Sequence, residues 1–297
     1  MFMHRLLLLM FLVAANGILF AAGSPELLDA IRNGDHARVQ RLLAARADVN
    51  TSDADGTTAL MHSVIESDVK MMKLLVNAGA NVNAKNALDS TALLYAVTDL
   101  AKTQVLLDAG ADVKITGKRG ATPMSVALTA FRSTPILKLL TSKGATPEDR
   151  LMALAATNGD IEAIQYLLSV GVPAGDAGGT TISAAITARC EACARLLVEQ
   201  GAPANGLRAN GAGVLNDTAK RAMADLAQFL FEHGASLESK DREGFTLLMQ
   251  AVLSMEAPAA RDRTVQWLLS KGVDPNAKND RGDTAYLLAA RMGIAST

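Results

Sequence analysis

The stretch DADGTTALMHSVIESDVKMMKLLVNAGANVNAK, residues 53–85, decides the fold of this chain. In its second half Met72, Leu75 and Val76 recur at i, i+3 and i+4, a spacing that places apolar side chains on one face of a helix. The pattern predicts a helix over about 69–78. A shorter apolar run precedes it and predicts a first helix, so the stretch reads as two antiparallel helices preceded by an extended turn.

The end of this stretch recurs along the chain. A glycine follows the second helix in each copy, at a position where the left-handed backbone conformation penalises a side chain, and Arg46 takes this place in the first copy. After Arg46 the markers are Gly79, Gly110, Gly144, Gly171, Gly201, Gly234 and Gly272, at intervals of 33, 31, 34, 27, 30, 33 and 38 residues. A leucine stands four residues before every marker: Leu42, Leu75, Leu106, Leu140, Leu167, Leu197, Leu230 and Leu268. We expect these leucines to form one continuous core, as in a repeat array.

A second phrase stands at the start of the first helix, which is predicted over about 59–66 in this stretch. Its copies are Gly56-Thr57-Thr58-Ala59-Leu60, Gly120-Ala121-Thr122-Pro123-Met124, Gly244-Phe245-Thr246-Leu247-Leu248 and Gly282-Asp283-Thr284-Ala285-Tyr286. With both phrases the chain resembles the ankyrin repeat family, whose repeat has a glycine turn, Thr-Pro-Leu-His, an Ala-rich helix, a Gly-His link, Val-Val-x-Leu-Leu and Gly-Ala-Asp-Val-Asn. The resemblance covers about 24–297. It implies an all-α repeat solenoid of helix–turn–helix units with short β-turn fingers, about eight repeats and a terminal half-repeat.

The chain departs from the family pattern in the turns. Among the copies of this second phrase, Thr122-Pro123 is the one intact Thr-Pro pair, and no copy has the family's histidine in its place; His62 comes one residue late, with Met61 in the expected position. That histidine normally bridges neighbouring turns by hydrogen bonds. We therefore expect these turns to be held differently or more loosely.

Two places read as fresh helix starts, Ser24-Pro25-Glu26 and Thr146-Pro147-Glu148-Asp149, because each joins a capping residue, a proline and early acid. The second falls in the 27-residue interval, which leaves no room for an extended turn. We expect the repeat around 147–171 to lack its finger, with a possible break of the array near 146. A harmless deletion in one loop explains the same spacing.

Two further irregularities lie near the end of the chain. Residues 254–261 read as an insertion in a loop between the two helices of one repeat, and insertions of this kind map to one face of an array. The last copy has one predicted helix, Thr284 to Met292, and can act as a half-repeat that caps the array.

Composition and motifs exclude several functions. Lys and Arg total 29 against 30 Asp and Glu in 297 residues, a formal charge of −1, which argues against a nucleic-acid binder. The histidines after the first segment, His36, His62 and His233, lie in different repeats, so metal-ligand spacing is missing. No nucleophile elbow, P-loop or dinucleotide fingerprint occurs. We expect no enzyme activity, no metal and no cofactor.

The first residues read as a targeting signal. A basic start over 1–5 is followed by an uncharged run over 6–20 and by small residues before Ser24, which is the order of a secretory signal peptide over 1–23. An uncleaved N-terminal anchor is the alternative, although the run is short for a bilayer. No later stretch is long and apolar enough to span a membrane. We expect an exported chain, 24–297, periplasmic or secreted, and most consistent with a bacterial periplasm.

Cys190 and Cys193 form the sequence Cys-Glu-Ala-Cys, which the repeat register places at the start of a second helix. An exported chain meets an oxidising compartment, and residues three apart in a helical turn lie within bridging distance. The alternatives are a small structural disulfide and two reduced thiols that pack in the core.

The resemblance implies that the partner is another protein and that it binds the concave face formed by turn tips and first helices. The residues mapped to this face are Asp55, Thr57, Ile65, Glu66, Leu88, Lys118, Arg119, Arg242, Glu243, Phe245 and Arg281. Phe245 is the favoured anchor, because aromatic and Arg side chains dominate interface hot spots. An immunity or inhibitor protein and a stress-protection protein fit equally well. The alternative function is a structural scaffold or tether of envelope components.

Overall fold

The structure, a computed structural model, describes residues 24–130, 132–176, 178–207 and 210–294. The predicted signal peptide, 1–23, lies outside the described residues. Helices make up nearly all the regular secondary structure of the described chain, and its β pairing consists of two isolated antiparallel bridges, Ser52 with Thr58 and Leu207 with Gly213. The chain divides into two units. The first ends at 126 and also includes 142–145, and the second comprises 127–141 and the residues from 146 onward.

The first unit consists of helix pairs in which a first helix packs on a second. Its helices are α1 (Pro25–Arg32), α2 (His36–Ala44), α3 (Ala59–Glu66), α4 (Val69–Asn77), α5 (Ala92–Ala96) and α6 (Leu100–Asp108), followed by a 3₁₀ turn (Lys118–Gly120) and most of α7 (Pro123–Ala127). The first helices α1, α3 and α5 contact one another in order, and α4 contacts α6. The helices predicted over 59–66 and 69–78 are confirmed as α3 and α4.

The second unit repeats the same arrangement. Its helices are most of α8 (Thr134–Ser142), then α9 (Arg150–Thr157), α10 (Ile161–Ser169), α11 (Thr180–Thr187), α12 (Glu191–Glu199), α13 (Val214–Lys220), α14 (Ala224–Glu232), α15 (Leu247–Val252), α16 (Pro258–Ser270) and α17 (Ala285–Arg291). The first helices α9, α11, α13, α15 and α17 pack in sequence, as do the second helices α10, α12, α14 and α16. The predicted all-α repeat solenoid is confirmed.

Short polar residues start the helices. In four second helices an Asp carboxylate accepts the backbone N–H three residues on, at 2.8–3.1 Å: Asp35 from Arg38, Asp68 from Met71, Asp99 from Lys102 and Asp160 from Ala163. Four first helices use a threonine hydroxyl in the same way, at 3.3 Å: Thr58, Thr122, Thr246 and Thr284. Each cap satisfies a backbone donor that the helix itself leaves unpaired.

The ends of the second helices follow the predicted backbone. Gly79 ends α4 with φ +89°, where a residue with a side chain would be strained. Arg46 stands in the same place after α2 and adopts φ +62°. The first copy therefore keeps the left-handed backbone conformation at this position and accepts the steric penalty of a side chain there.

Seven of the eight marker leucines are fully buried, with 0–1% exposure: Leu75, Leu106, Leu140, Leu167, Leu197, Leu230 and Leu268. Leu42 is the exception, since it is only half-buried. It lies on α2, the outermost second helix of the described residues, where Val39 is fully buried instead. The predicted continuous core was therefore wrong at Leu42, whereas the other seven leucines are buried as predicted.

One of the two predicted helix starts is confirmed and the other was wrong. α1 begins at Pro25, as predicted. α9 begins at Arg150, so Thr146-Pro147 lies outside the helix, and Asp149 stands at its N-terminus without a side-chain cap. Residues 143–149 contain no β bridge, but neither do the turns at Asn86, Asp241 and Asn279, so the absence of a finger in this repeat stays a prediction. The break of the array predicted near 146 stays a prediction.

The 254–261 insertion is only partly a loop. α16 begins at Pro258, because proline is well suited to the first position of a helix, and it runs for 13 residues to Ser270. The inserted residues thus lengthen the second helix at its start, and the loop is confined to 253–257. α17 spans Ala285–Arg291, close to the helix predicted over 284–292, and the described residues end three residues later, so the capping half-repeat stays a prediction.

The neighbours Leu268 and Leu269 on α16 test the core directly, since they are 1% and 44% exposed. We expect Leu268→Ala to lower the free energy of unfolding by about 2–5 kcal/mol, because it leaves a cavity in the packed stripe. Leu269→Ala should cost less than about 1 kcal/mol. Thermal and urea melts followed by circular dichroism measure both, and equal losses would contradict the assigned register.

Candidate functional site

An Asp or Asn side chain closes each of four fingers. Its Oδ1 atom accepts the backbone N–H groups two and four residues on, at 2.9–3.1 Å: Asp53 from Asp55 and Thr57, Asn86 from Leu88 and Ser90, Asp241 from Glu243 and Phe245, Asn279 from Arg281 and Asp283. This is the local hydrogen bonding that makes Asp and Asn common in turns. Six of the residues predicted to contact a partner donate one of these bonds.

The other atom of the same side chain reaches the first helix nine residues on. Asp53 Oδ2 lies 3.0 Å from His62 Nε2, Asn86 Nδ2 donates to Tyr95 Oη at 2.9 Å, and Gln250 Nε2 donates to Asp241 Oδ2 at 2.7 Å. These bonds tie the finger to the helix that follows it. They take the place of the hydrogen bonds that the missing histidine of the family motif would form. The turns are thus held differently, by a side chain of the following helix whose identity changes from repeat to repeat.

Neighbouring fingers are also joined through their backbones. In the first unit Ala87 N donates to Asp55 O at 2.9 Å and Lys118 N to Leu88 O at 3.3 Å; in the second unit Asp280 N donates to Glu243 O at 3.1 Å. Each of these finger tips is thus fixed both within its repeat and against its neighbour. The tips form a preorganised row in each unit.

A polar cluster supports the first finger. The His62 side chain is 8% exposed, and its Nδ1 lies 3.0 Å from Glu66 Oε1 while its Nε2 lies 3.0 Å from Asp53 Oδ2. Arg32 Nη2 approaches the same Asp53 oxygen at 3.7 Å. Burial raises the pKa of the Asp53 carboxyl, but the N–H groups of Thr57 and Asp55 and the His62 ring outweigh it, so this pKa is lowered.

The predicted surface residues of the first unit are mostly open to solvent. Asp55, Glu66, Lys118 and Arg119 are exposed, and Thr57 is half-buried. Ile65 and Leu88 are apolar and nevertheless 52% and 55% exposed. The predicted face of the first unit therefore presents two exposed apolar side chains, Ile65 and Leu88, among charges of both signs.

In the second unit the predicted residues come from the last two fingers. Arg242, Glu243 and Arg281 are exposed, whereas Phe245, the favoured anchor, is half-buried. Arg281 Nη2 lies 3.2 Å from Glu243 Oε2, so two predicted residues form an ion pair across adjacent fingers. That all these positions contact a partner stays a prediction.

Sequence reasoning missed a second exposed feature, at the loop 253–257. Met255 is 88% exposed, and Glu256 pairs with Arg189, which lies 67 residues earlier in the chain. Ser254 Oγ donates to Lys220 O at 2.8 Å, so the loop bends back over α13. With the ends of α11, α13 and α15 it borders an open groove of about 430 Å³. In the sequence, this contact is marked only by an acidic residue in the insertion, Glu256, and an arginine after α11, Arg189.

The two cysteines lie at the start of α12. Cys190 is its N-cap residue and partly exposed, while Cys193 is fully buried. In the structure their Sγ atoms are bonded to each other, with the Cα atoms 5.2 Å apart. Of the two alternatives for this pair, the structure contains the disulfide.

The described residues contain no cluster of three or more His, Cys, Asp or Glu side chains arranged to hold a metal. Within the same part of the chain, every helix is too short or too polar to cross a bilayer.

Asp53→Asn tests the charge of the finger clamp. Asn keeps Oδ1 as an acceptor, as Asn86 does, but removes the charge beside His62, so we expect a loss of about 1 kcal/mol at pH 7. Because folding lowers the pKa of Asp53, its carboxylate stabilises the fold above pH of about 4 and loses this effect as the pH falls through the lowered value.

The difference between the two proteins should therefore shrink below pH of about 4. Urea melts at several pH values measure it. Asp55→Asn removes the same charge from the exposed tip of the same finger and serves as the control, with little change at any pH. A difference for Asp53→Asn that does not depend on pH would contradict the lowered pKa of the Asp53 carboxyl.

Two family models match the chain. The model of three ankyrin repeats matches residues 27–117, and the ankyrin repeat model matches residues 243–280. No curated protein matches the sequence. Ankyrin repeats generally mediate binding between proteins and typically have no enzyme activity of their own. The chain is an all-α repeat protein whose segments 27–117 and 243–280 match the models of ankyrin repeats.

Proposed function

We propose that this chain acts outside the cytoplasm as a protein-binding module without enzyme activity, and that finger tips and first helices form its binding face. The observation that carries the proposal is the exposure of Ile65 and Leu88 beside a row of tips with a fixed backbone. Apolar side chains held ready at a surface lower the entropy cost of association. The ion pairs and charges around them supply a polar rim.

Export is supported by the composition of residues 1–23, which combines a basic start, an uncharged run and small residues before Ser24. The disulfide of Cys190 and Cys193 is consistent with an oxidising compartment. A bacterial periplasm combines both conditions.

The role that we favour is that of an immunity, inhibitor or stress-protection protein that covers a functional surface of its partner. A fixed row of tips suits this role, because it presents the same contacts each time without the cost of ordering loops. A scaffold or tether of envelope components would use the same face without blocking an activity, and the identity of the partner separates the two.

Export predicts a mature chain that begins at Ser24. The full gene should be expressed in a Gram-negative host with a C-terminal tag, and the protein from the periplasmic fraction analysed by intact mass and N-terminal sequencing. Arg5→Glu with Leu8→Arg breaks the basic start and the apolar run, and should keep the chain inside the cell. Glu26→Gln, beyond the predicted cleavage point, is the control and should be exported normally. Retention of residues 1–23 in the exported protein would show an anchor instead.

The binding face predicts which substitutions abolish capture of a partner. Ile65→Ser with Leu88→Ser removes the two exposed apolar side chains of the predicted face in the first unit, and Phe245→Ala with Arg242→Ala alters the fingers of the second. Capture from an envelope extract should fall roughly tenfold or more for at least one pair, as for interface hot spots.

Leu269→Ser is the matched control, since Leu269 is 44% exposed on a second helix and is not one of the residues of the predicted face. Melting curves verify that all variants fold. An enzyme whose activity returns when it is released from the wild-type protein supports the inhibitor role, and several structural envelope proteins support the tether. Equal capture by all variants would contradict the proposed face.

A further inference from the structure

We propose that Cys190 and Cys193 form a thiol–disulfide exchange site that reacts with an incoming thiolate, in addition to the binding function. The pair lies at the first turn of α12, and its members are three residues apart in sequence. The site needs no other cofactor, because the reacting group is the disulfide itself.

The repeats themselves show what the position of Cys190 favours. In four other second helices the N-cap residue is an aspartate whose carboxylate accepts the N–H three residues on: Asp35, Asp68, Asp99 and Asp160. Cys190 replaces this aspartate, and its Sγ accepts the N–H of Cys193 at 3.2 Å. The start of a helix carries partial positive charge, which stabilises an anion at this position.

This placement favours the reduced state of the pair. A thiolate at Cys190 would take over the role of the aspartate carboxylate, with the N–H of Cys193 as donor, whereas the disulfide sulfur has no charge to stabilise. Stabilising the reduced form makes a disulfide a stronger oxidant and easier to reduce.

The charged neighbours of the pair already have partners. Arg189 precedes Cys190 and pairs with Glu256, while Glu191 follows it and pairs with Arg195 at 2.6 Å. Their charges offset one another locally, so the backbone N–H groups of α12 remain the main source of positive potential at Cys190.

The two sulfur atoms differ in access. Cys190 is partly exposed, whereas Cys193 is 0% exposed. Gly159, in the turn between α9 and α10, lies beside Cys190: a Cβ atom on this glycine would lie 3.4 Å from Cys190 Cβ. A side chain at Gly159 would therefore touch Cys190, so this side of the residue is closely packed. Because Cys193 is buried, the partly exposed Cys190 is the member of the pair that an incoming thiolate attacks.

The bond contributes little that the helix does not already provide. It joins residues three apart in sequence, and a disulfide stabilises mainly by closing a long loop in the unfolded chain. Here the backbone of α12 already fixes the geometry of the short segment. A role in exchange explains the cysteine pair better than a role as a cross-link.

Exchange begins when a thiolate attacks Cys190 Sγ. A bond forms between the attacking sulfur and Cys190 Sγ, and the disulfide bond between Cys190 and Cys193 breaks. Cys193 leaves as a thiolate and takes up a proton. A second thiolate attacks the incoming sulfur of the mixed disulfide and releases Cys190. Two thiols are oxidised to one disulfide while the pair is reduced to two thiols, and the reverse sequence reoxidises the pair.

The test uses the folded, oxidised chain 24–297 at pH 7 without denaturant. The protein is equilibrated with reduced glutathione at millimolar concentration or, in a second arm, with reduced thioredoxin. Free thiols are trapped with a maleimide after acid quenching and counted by intact mass. We expect two thiols per chain in at least one arm, while circular dichroism shows that the protein stays folded. Reaction with glutathione shows that a small thiol is a sufficient reductant. Reaction with thioredoxin but not with glutathione shows that the site requires a protein thiol.

Single variants test the division of roles. In Cys193→Ala, Cys190 should react with iodoacetamide about tenfold faster than glutathione does at the same pH, as expected of a cysteine at a helix start. In Cys190→Asp, which restores the aspartate cap of the other repeats, the melting midpoint should stay within a few degrees of the wild type. Cys193 should then remain unreactive because it is buried.

Three results would overturn the proposal. One is a disulfide that resists both reductants until denaturant is added. Another is a Cys190 thiol in Cys193→Ala that reacts no faster than glutathione. The third is a large loss of thermal stability in Cys190→Asp, which would make the pair a structural cross-link. Capture of a partner by the finger tips is measured separately, so failure here leaves the proposed binding function untouched.

Discussion

A single pair of short helices cannot bury its own apolar stripe, and this constraint governs the chain. Each second helix places a leucine, such as Leu75 or Leu167, where only the adjoining helices can exclude water from it. Burying one such side chain contributes roughly 1.5–3 kcal/mol. Stability within each unit therefore comes from the contacts between neighbouring repeats. A helix at the end of the described chain has a neighbour on one side only, and its apolar side chains are less buried. The half-buried Leu42 shows this directly.

Once the helices are packed, the fingers need only local chemistry to be rigid. One Asp or Asn side chain uses both of its polar atoms, one on the turn backbone and one on the following helix, as Asp241 does with Phe245 and Gln250. Backbone bonds to the next finger complete the row. Surface tips that are fixed in this way can carry variable side chains without loss of shape, which is the property that a binding surface requires.

Much of the fold could be predicted from the sequence because its determinants recur. The leucine and the glycine return in nearly every copy, so helices α3 and α4 were placed within a residue of their ends. Boundaries that depend on a single copy were harder. Thr146-Pro147 has the residues of a helix start, yet α9 begins at Arg150, and Pro258 opens α16 inside what reads as a loop.

The candidate site was only partly predictable for the same reason. The turn residues recur and could be mapped, whereas the partner of the clamp is His62 in one repeat, Tyr95 in the next and Gln250 in a third. These side chains share a position and a capacity to form hydrogen bonds but no identity, so no repeated letter marks them. The contact of Glu256 with Arg189 spans 67 residues and leaves no local pattern at all.

The last finger lacks one of these supports. Nine residues after Asn279 stands Leu288, which has no polar side-chain atom to offer, and Asn279 Nδ2 is buried without a partner. Without this tie to the following helix, we expect the backbone amides of the last finger to exchange with solvent before those of the finger closed by Asp241, whose carboxylate is tied to Gln250.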